Sequence, residues 1–139
     1  MSSTRRFVSR HPAACVGLVA LALAIVSFAA WRWKMQQREQ AVAYAITGGD
    51  ATRAPDLLRR FGCVGCHTIP GIPGADGQVG ASLAGLRERA FIAGVVRNTP
   101  ENLMRWIVQP RSLSPRTAMP ATGIDAEQAR DVAAYLYGH

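Results

Sequence analysis

Cysteine is scarce in this chain and unevenly placed. Only three of the 139 residues are cysteines, and two of them, Cys63 and Cys66, lie three positions apart. The third, Cys15, lies far away in an apolar run. A structural zinc site normally takes four ligands from two separated pairs, so the lack of a second pair argues against zinc. A thioredoxin-like dithiol would need a βαβ unit, and no alternating strand pattern of useful length is present.

Basic residues are numerous, yet the chain lacks a basic stripe with interleaved aromatic residues. The formal net charge is +7. Residues 1–40 hold six basic residues against one acid, a net of +5, and residues 41–139 hold ten against eight, a net of +2. Most of the charge therefore flanks the apolar run, where it sets membrane topology or meets anionic lipid. We expect no nucleic acid partner.

One long hydrophobic run, residues 13–31, contains no charged residue. As a helix with a rise of about 1.5 Å per residue it would reach roughly 28 Å, close to the thickness of a bilayer's hydrocarbon core. The segment "WRWK" (31–34) fits an interfacial anchor of aromatic and basic side chains. We expect a transmembrane helix at 12–33 that contacts membrane lipid, preceded by a basic segment at 1–11. A cleaved secretion signal is the alternative, because small residues precede Ala30.

The chain after the span is rich in irregular segments. A helical stalk is predicted at 34–48, followed by a domain at 49–139. The segment 68–85 contains five glycines and two prolines. Loops of this length in compact domains are usually functional, or are ordered by something they wrap around.

Short helices are predicted within the domain. The first is "TRAPDLLRRFG" (52–62), with Thr52 as its cap, and the second is "NTPENLMRWIV" (98–108), with Thr99 as its cap. The last covers 125–137 and opens with a capping box. Apolar residues are few for a domain with this much loop, so we expect that something else fills its centre.

The segment "FGCVGCH" places His67 directly after the second cysteine. C-x-x-C-H is the pattern of covalent haem attachment. The two thiols add to the two vinyl groups on one edge of the ring, and the next residue is carried beneath the iron. A disulfide across so short a loop is geometrically awkward and would leave His67 without a role. The sequence therefore predicts one haem c on Cys63 and Cys66, with His67 as the proximal iron ligand.

Over roughly residues 49–138 the chain resembles the class I monohaem c-type cytochromes. The resemblance is carried by "FGCVGCH", "PENLMRWI", "TAMP" and "ARDVAAYL". It implies an all-α fold of three to four short helices around the haem, behind one transmembrane helix. Within the family, the sequence of these motifs is most similar to that of cytochrome domains that serve respiratory terminal oxidases, including those fused behind the copper-bearing second subunit. No copper motif occurs in this sequence, so such a role would belong to a separate anchored subunit.

In this family a downstream methionine supplies the sixth iron ligand. Met119 is followed by Pro120, as in the family's ligand motif. Met104 lies in a predicted helix, where filling the core is the competing interpretation. Met1 and Met35 lie before or beside the span. We therefore expect Met119 opposite the histidine. With both axial positions filled, the resemblance implies an electron carrier rather than an enzyme, with no small-molecule substrate.

Further residues are expected near the haem. Family members commonly carry proline where this chain has Ala81, and we expect the Ala81 carbonyl to accept a hydrogen bond from the second ring nitrogen of His67. Trp106 either donates its indole N–H to a haem propionate or fills the core, and both interpretations stay open. Arg111 and Arg116 are candidates for pairing with propionates or with an acidic partner, with solvated surface as the alternative.

Haem c is attached after export, so we expect the haem domain on the periplasmic side of the inner membrane and the basic segment in the cytoplasm. Two functions stay open: an electron-entry subunit of a terminal oxidase or related respiratory complex, and an anchored shuttle between a quinol-oxidising complex and an oxidase. A haem-containing subunit of a periplasmic dehydrogenase is a third. The short helical stalk favours a subunit, because a shuttle benefits from a long flexible linker.

Overall fold

The computed structural model describes residues 11–139, and the predicted basic segment 1–11 lies outside the described residues except for His11. The chain divides into two compact units, up to Gln36 and from Gln37 to His139. Helix α1, His11–Thr47, belongs to the first unit at its start and to the second at its end.

The first part of α1 is apolar and exposed. Its apolar side chains from Val16 to Trp33 are all exposed, and the helix contains an 18-residue window of mean hydropathy 2.4, none of which is buried. The helix is long and apolar enough to cross a membrane by length and composition. These properties fit the predicted anchor at 12–33.

The last turns of α1 belong to the second unit and pack within it. Ala43 is fully buried and Thr47 is 6% exposed. The Thr47 hydroxyl donates to the Ala43 carbonyl at 2.7 Å and accepts from the Gly49 N–H at 3.2 Å. Gly48, with φ of 69°, follows the helix end. The segment predicted as a stalk is helical to Thr47, but its final turns are part of the compact unit rather than a free spacer.

The rest of the second unit is mainly helical, which confirms the predicted all-α class. Its helices are short and are joined by 3₁₀ turns at Ala51–Arg53 and Leu86–Glu88. They are α2 Ala54–Arg60, α3 Cys63–Cys66, α4 Pro100–Val108, α5 Pro110–Leu113 and α6 Ala126–Tyr137.

The helix ends follow local capping chemistry. Thr99 accepts from the Asn102 N–H and caps α4, as predicted. Asp125 and Gln128 form the predicted capping box of α6. At the first helix the predicted cap is wrong. Asp50 caps the 3₁₀ turn Ala51–Arg53, because its carboxylate accepts from the Thr52 N–H at 2.9 Å. Helix α2 then follows with Arg53 at its N-cap and no capping hydrogen bond from a side chain.

A two-stranded antiparallel hairpin was not expected from the sequence. Strands β1 (Phe91–Ile92) and β2 (Val96–Arg97) have two residues each, too short to show alternation. They are joined by the three residues 93–95. Ala93 and Gly94 have positive φ, and the Val95 N–H donates to the Ile92 carbonyl at 2.9 Å, which closes a tight turn.

Helix α6 lies at the centre of the packing. It contacts the first 3₁₀ turn, α2 and α4, and its apolar residues Ala129, Val132, Ala133 and Leu136 are buried. The buried carboxylate of Asp131 on this helix accepts from the Asp50 N–H at 2.7 Å and from Arg53 at 3.4 Å. These bonds join the start of the domain to its last helix.

The glycine-rich segment 68–85 is ordered by its own contacts. The Ile69 N–H donates to the Ala75 carbonyl at 3.0 Å, and the Thr68 hydroxyl donates to Gly77 at 3.1 Å. From α6, the Tyr135 hydroxyl donates to the Pro70 carbonyl at 2.7 Å. Residues 68–77 are therefore held both by hydrogen bonds among themselves and by a hydrogen bond from α6.

Candidate functional site

An apolar cavity of about 260 Å³ lies within the second unit. Its walls come mainly from α4, α6, the hairpin and the segments on either side of residues 81 and 119. The side chains contributed by the helices and hairpin are predominantly apolar: Ile92, Leu103, Trp106, Ile107, Val132 and Leu136. Because the domain has few apolar residues, the sequence predicted that something other than side chains fills its centre, and this cavity has room for such a group.

Most of the predicted site residues meet at this cavity. Cys63, His67, Ala81, Trp106 and Met119 all line it. Their positions are set by four different parts of the chain, since α3, the segment after it, α4 and the segment before α6 each supply at least one. Residues more than fifty positions apart thus share one apolar space.

Cys66 is the exception among the predicted residues, because it ends α3 without lining the cavity. Cys63 and Cys66 are three positions apart on this helix, which places them on the same side of it. Burial raises the pKa of the Cys63 thiol, and the neighbouring Cys66 adds to the rise. The thiol of Cys63 is therefore protonated at neutral pH in the absence of a bound group.

The orientation of His67 is fixed by a backbone carbonyl. The Nδ1 atom of its ring lies 2.7 Å from the Ala81 oxygen. A carbonyl can only accept, so Nδ1 carries the proton and Nε2 keeps a free lone pair. The predicted hydrogen bond between these two residues is present. It selects the tautomer that a metal ligand needs.

Gly80 is a site residue that the sequence analysis missed. A Cβ atom built on it would lie 2.6 Å from Nδ1 and 2.9 Å from Nε2 of His67. Real Cβ atoms do not approach other atoms so closely, so only glycine allows the ring to lie against the backbone here. A glycine within a glycine-rich loop gives no sign of this contact in a single sequence.

The structure distinguishes the two candidate methionines in the domain. Met119 is half-buried, lines the cavity, and is held locally by a hydrogen bond from its N–H to the Thr117 hydroxyl at 3.2 Å. Met104 is also half-buried and packs against the core, but it does not line the cavity. Geometry therefore favours Met119 as the thioether that faces the same space as His67.

Trp106 is 7% exposed and belongs both to the core and to the cavity wall, so its two interpretations both stay open. Arg111 and Arg116 are exposed and do not line the cavity. Arg89 does line it, and the sequence analysis did not single it out.

The donor set fits a covalently attached haem. An imidazole nitrogen with a free lone pair and a thioether border an apolar cavity, and Cys63, the first of the cysteine pair, also lines it. Among residues 11–139 no group of three or more His, Cys, Asp or Glu side chains could hold a metal ion directly. An iron held by a porphyrin needs only the two axial ligands from protein, which is what these residues offer.

Comparison with known proteins points to one family. A family model described as Cytochrome c matches residues 51–138. Cytochrome c oxidase subunit 2 of Alkalihalophilus pseudofirmus is 33% identical over 87 residues, which cover 62% of this chain and 25% of the relative. The subunit 2 of Bacillus sp. strain PS3 is 30% identical over 97 residues, covering 68% of this chain and 26% of the relative.

The chain thus spans about a quarter of the length of these two relatives. No solved structure matches it significantly. The family match covers more than half of the chain and includes all the residues that line the cavity. This protein belongs to the cytochrome c family.

Proposed function

We propose that this protein is a membrane-anchored monohaem cytochrome c that passes single electrons in a respiratory chain, as the electron-entry subunit of a terminal oxidase or a related respiratory complex. Membership of the family already makes it an electron-transfer protein with covalently bound haem c. The observation that carries the proposal is the convergence of His67 and Met119 on one apolar cavity beside Cys63.

Each site residue has a distinct role in this proposal. Cys63 and Cys66 would attach the haem, and His67 and Met119 would ligate its iron. The haem supplies a one-electron couple when bound. The Ala81 carbonyl keeps the proton on Nδ1 of His67, so that Nε2 is the ligating nitrogen.

The protein surroundings suit electron transfer rather than catalysis. A thioether ligand raises the reduction potential relative to a second imidazole. The apolar walls exclude water, so little solvent has to reorganise when the charge of the site changes. Because His67 and Met119 would both be engaged in holding the iron, the proposal assigns no catalytic residue and no small-molecule substrate.

The subunit role is supported by the relatives and by α1. Both relatives reported above are subunits of cytochrome c oxidase. Helix α1 runs from His11 to Thr47 without a break, and Ala43 and Thr47 at its end are buried in the haem-binding unit. No flexible linker of the kind that extends a shuttle's reach lies within it.

The proposed organisation keeps the boundaries derived from sequence. A cytoplasmic segment at 1–11 precedes a single span of the inner membrane at 12–33, and the stalk at 34–48 leads to the cytochrome domain at 49–139. The haem domain lies on the periplasmic side, because haem is attached to the cysteines after export. Membrane lipid and the subunits of the oxidase are the partners.

Co-purification tests the proposal. Membranes are solubilised in mild detergent, and complexes are separated by native electrophoresis and stained for haem and for oxidase activity. We expect the haem c of this chain to migrate with the oxidase. The control is the Cys63→Ser/Cys66→Ser chain, which keeps α1 and loses the covalent haem stain at the position of this subunit. Migration of the unaltered chain as a lone haem protein would contradict the subunit role.

A further inference from the structure

The segment that carries the Ala81 carbonyl has few constraints of its own. In residues 81–84 the side chains are exposed except for that of the half-buried Leu83. Two backbone bonds attach this segment to the haem motif and the residue after it: the Gly80 N–H donates to the Cys66 carbonyl at 2.7 Å, and the Leu83 N–H donates to the Thr68 carbonyl at 2.8 Å. Alanine leaves its own φ free to vary, whereas proline would fix it. The position of this carbonyl must therefore depend on further contacts.

Arg89 supplies such contacts. Its Nη2 atom donates to the Ser82 carbonyl at 2.6 Å and to the Ala84 carbonyl at 2.8 Å. One guanidinium nitrogen thus bridges two carbonyls that follow Ala81 in the chain. Hydrogen bonds from a charged donor are about twice as strong as those between neutral groups. The bridge constrains the backbone directly after Ala81, whose carbonyl accepts from His67.

The backbone of Arg89 is itself held in place. The side-chain amide of Asn98 donates to the Leu86 carbonyl at 2.7 Å and to the Arg89 carbonyl at 2.9 Å. The Tyr137 hydroxyl on α6 donates to the Asn98 oxygen at 2.7 Å. The backbone that carries the guanidinium is therefore linked, through Asn98 and Tyr137, to the central helix α6.

We propose that Arg89 is a positioning residue for His67. By bridging Ser82 and Ala84 it fixes the Ala81 carbonyl against Nδ1 of the ring, in a loop that has alanine rather than proline at position 81. This rests on the proposed function, in which His67 is an iron ligand. A firm bond at Nδ1 makes the imidazole a stronger donor, which favours the ferric state. Loosening that bond raises the reduction potential.

A purely electrostatic role for Arg89 predicts the opposite sign. Arg89 lines the cavity, so its positive charge disfavours the ferric state. Removal of the charge alone would therefore lower the potential. The direction of the change separates positioning from charge.

The test uses the full-length holoprotein in detergent and compares Arg89→Ala with Arg87→Ala. Arg87 is an exposed arginine that makes no hydrogen bond or ion pair among residues 11–139, so it is the matched control for charge. In the reduced protein, the exchange of the His67 Nδ1 proton with solvent is followed by NMR. We expect exchange to become about tenfold faster in Arg89→Ala, as for a loss of one to two hydrogen bonds. It stays unchanged in Arg87→Ala.

Ala81→Pro provides the rescue. The Ala81 N–H donates no hydrogen bond within the described residues, so proline removes none. Added to Arg89→Ala, it restores slow exchange and lowers the potential again. If Arg89→Ala fails to accumulate with haem, Arg89→Lys replaces it, because lysine keeps the charge without the planar guanidinium.

Three results overturn the proposal: exchange unchanged in the Arg89 variants, a reduction potential that falls in Arg89→Ala, or faster exchange that Ala81→Pro does not correct. The unaltered protein separates this failure from failure of the proposed function. If it lacks a low-spin His/Met haem spectrum, then His67 and Met119 are not the ligands and both proposals fall. If that spectrum is present but the exchange of the His67 Nδ1 proton is unchanged by substitution of Arg89, only the positioning role is contradicted.

Discussion

Gly80→Ala is expected to damage the site through a single methyl group. The added carbon would lie 2.6 Å from Nδ1 and 2.9 Å from Nε2 of His67. Ordinary contacts between such atoms are about 3.5 Å or longer, so the ring or the loop must move by roughly 1 Å. That movement displaces Nδ1 from the Ala81 oxygen, which now lies at 2.7 Å.

The cost has two parts. Overpacking of a site without free space costs about 1–3 kcal/mol, and the weakened hydrogen bond costs about 1 kcal/mol more. We therefore expect the free energy of unfolding to fall by about 2–4 kcal/mol. For a domain of this size that lowers Tm by at least about 8 °C. The reduction potential rises at the same time, because the ligand is a weaker donor.

Thermal unfolding of the purified holoprotein, followed by circular dichroism, measures the first effect, and potentiometric titration measures the second. Gly65→Ala is the matched control. It makes the same substitution inside the haem motif, where the added carbon meets no atom within 4 Å. A Gly80→Ala protein with the Tm and potential of the unaltered chain would refute the steric argument.

Two further changes test other parts of the structure. Ala93 has φ of 50° beside Gly94 in the hairpin turn, so Ala93→Gly removes left-handed strain and should raise the free energy of unfolding by about 0.5–1 kcal/mol in a thermal melt; a lower Tm would contradict this. Burial, followed by the charge of Glu101, raises the pKa of Tyr137 to about 12. Because this exceeds the value of about 10 in an unfolded chain, the hydroxyl contributes stability below about pH 10 that is lost as the pH rises through about 12. Tyr137→Phe, which also removes the bond to Asn98, should be less stable at pH 8 and lose less stability across that interval in urea unfolding; equal slopes would contradict the assignment.

Features determined by neighbouring residues could be predicted from the sequence. Thr99 and the pair Asp125–Gln128 cap their helices because a cap needs only residues three positions apart. The haem motif is local in the same way, since Cys63, Cys66 and His67 follow one another on one short helix and its end.

Features that depend on distant residues could not be predicted in the same way. Asp131 is buried because it accepts from a backbone N–H 81 positions away. Ala43 looks like an ordinary exposed helix former, yet it is fully buried in the second unit. The hydrogen bond between His67 and Ala81 was predicted only because the family resemblance indicated it, while the Arg89 bridge and the need for Gly80 had no such indication.

The most direct test of the account is the spectrum of two methionine variants. Met119 lines the cavity with His67, whereas Met104 packs against the core without lining it. The account predicts that the oxidised Met119→Ala protein loses the low-spin His/Met signature and that its potential falls, since a thioether favours reduced iron. Met104→Ala should keep the signature with some loss of stability. Survival of the signature in Met119→Ala, or its loss in Met104→Ala alone, would contradict the central claim.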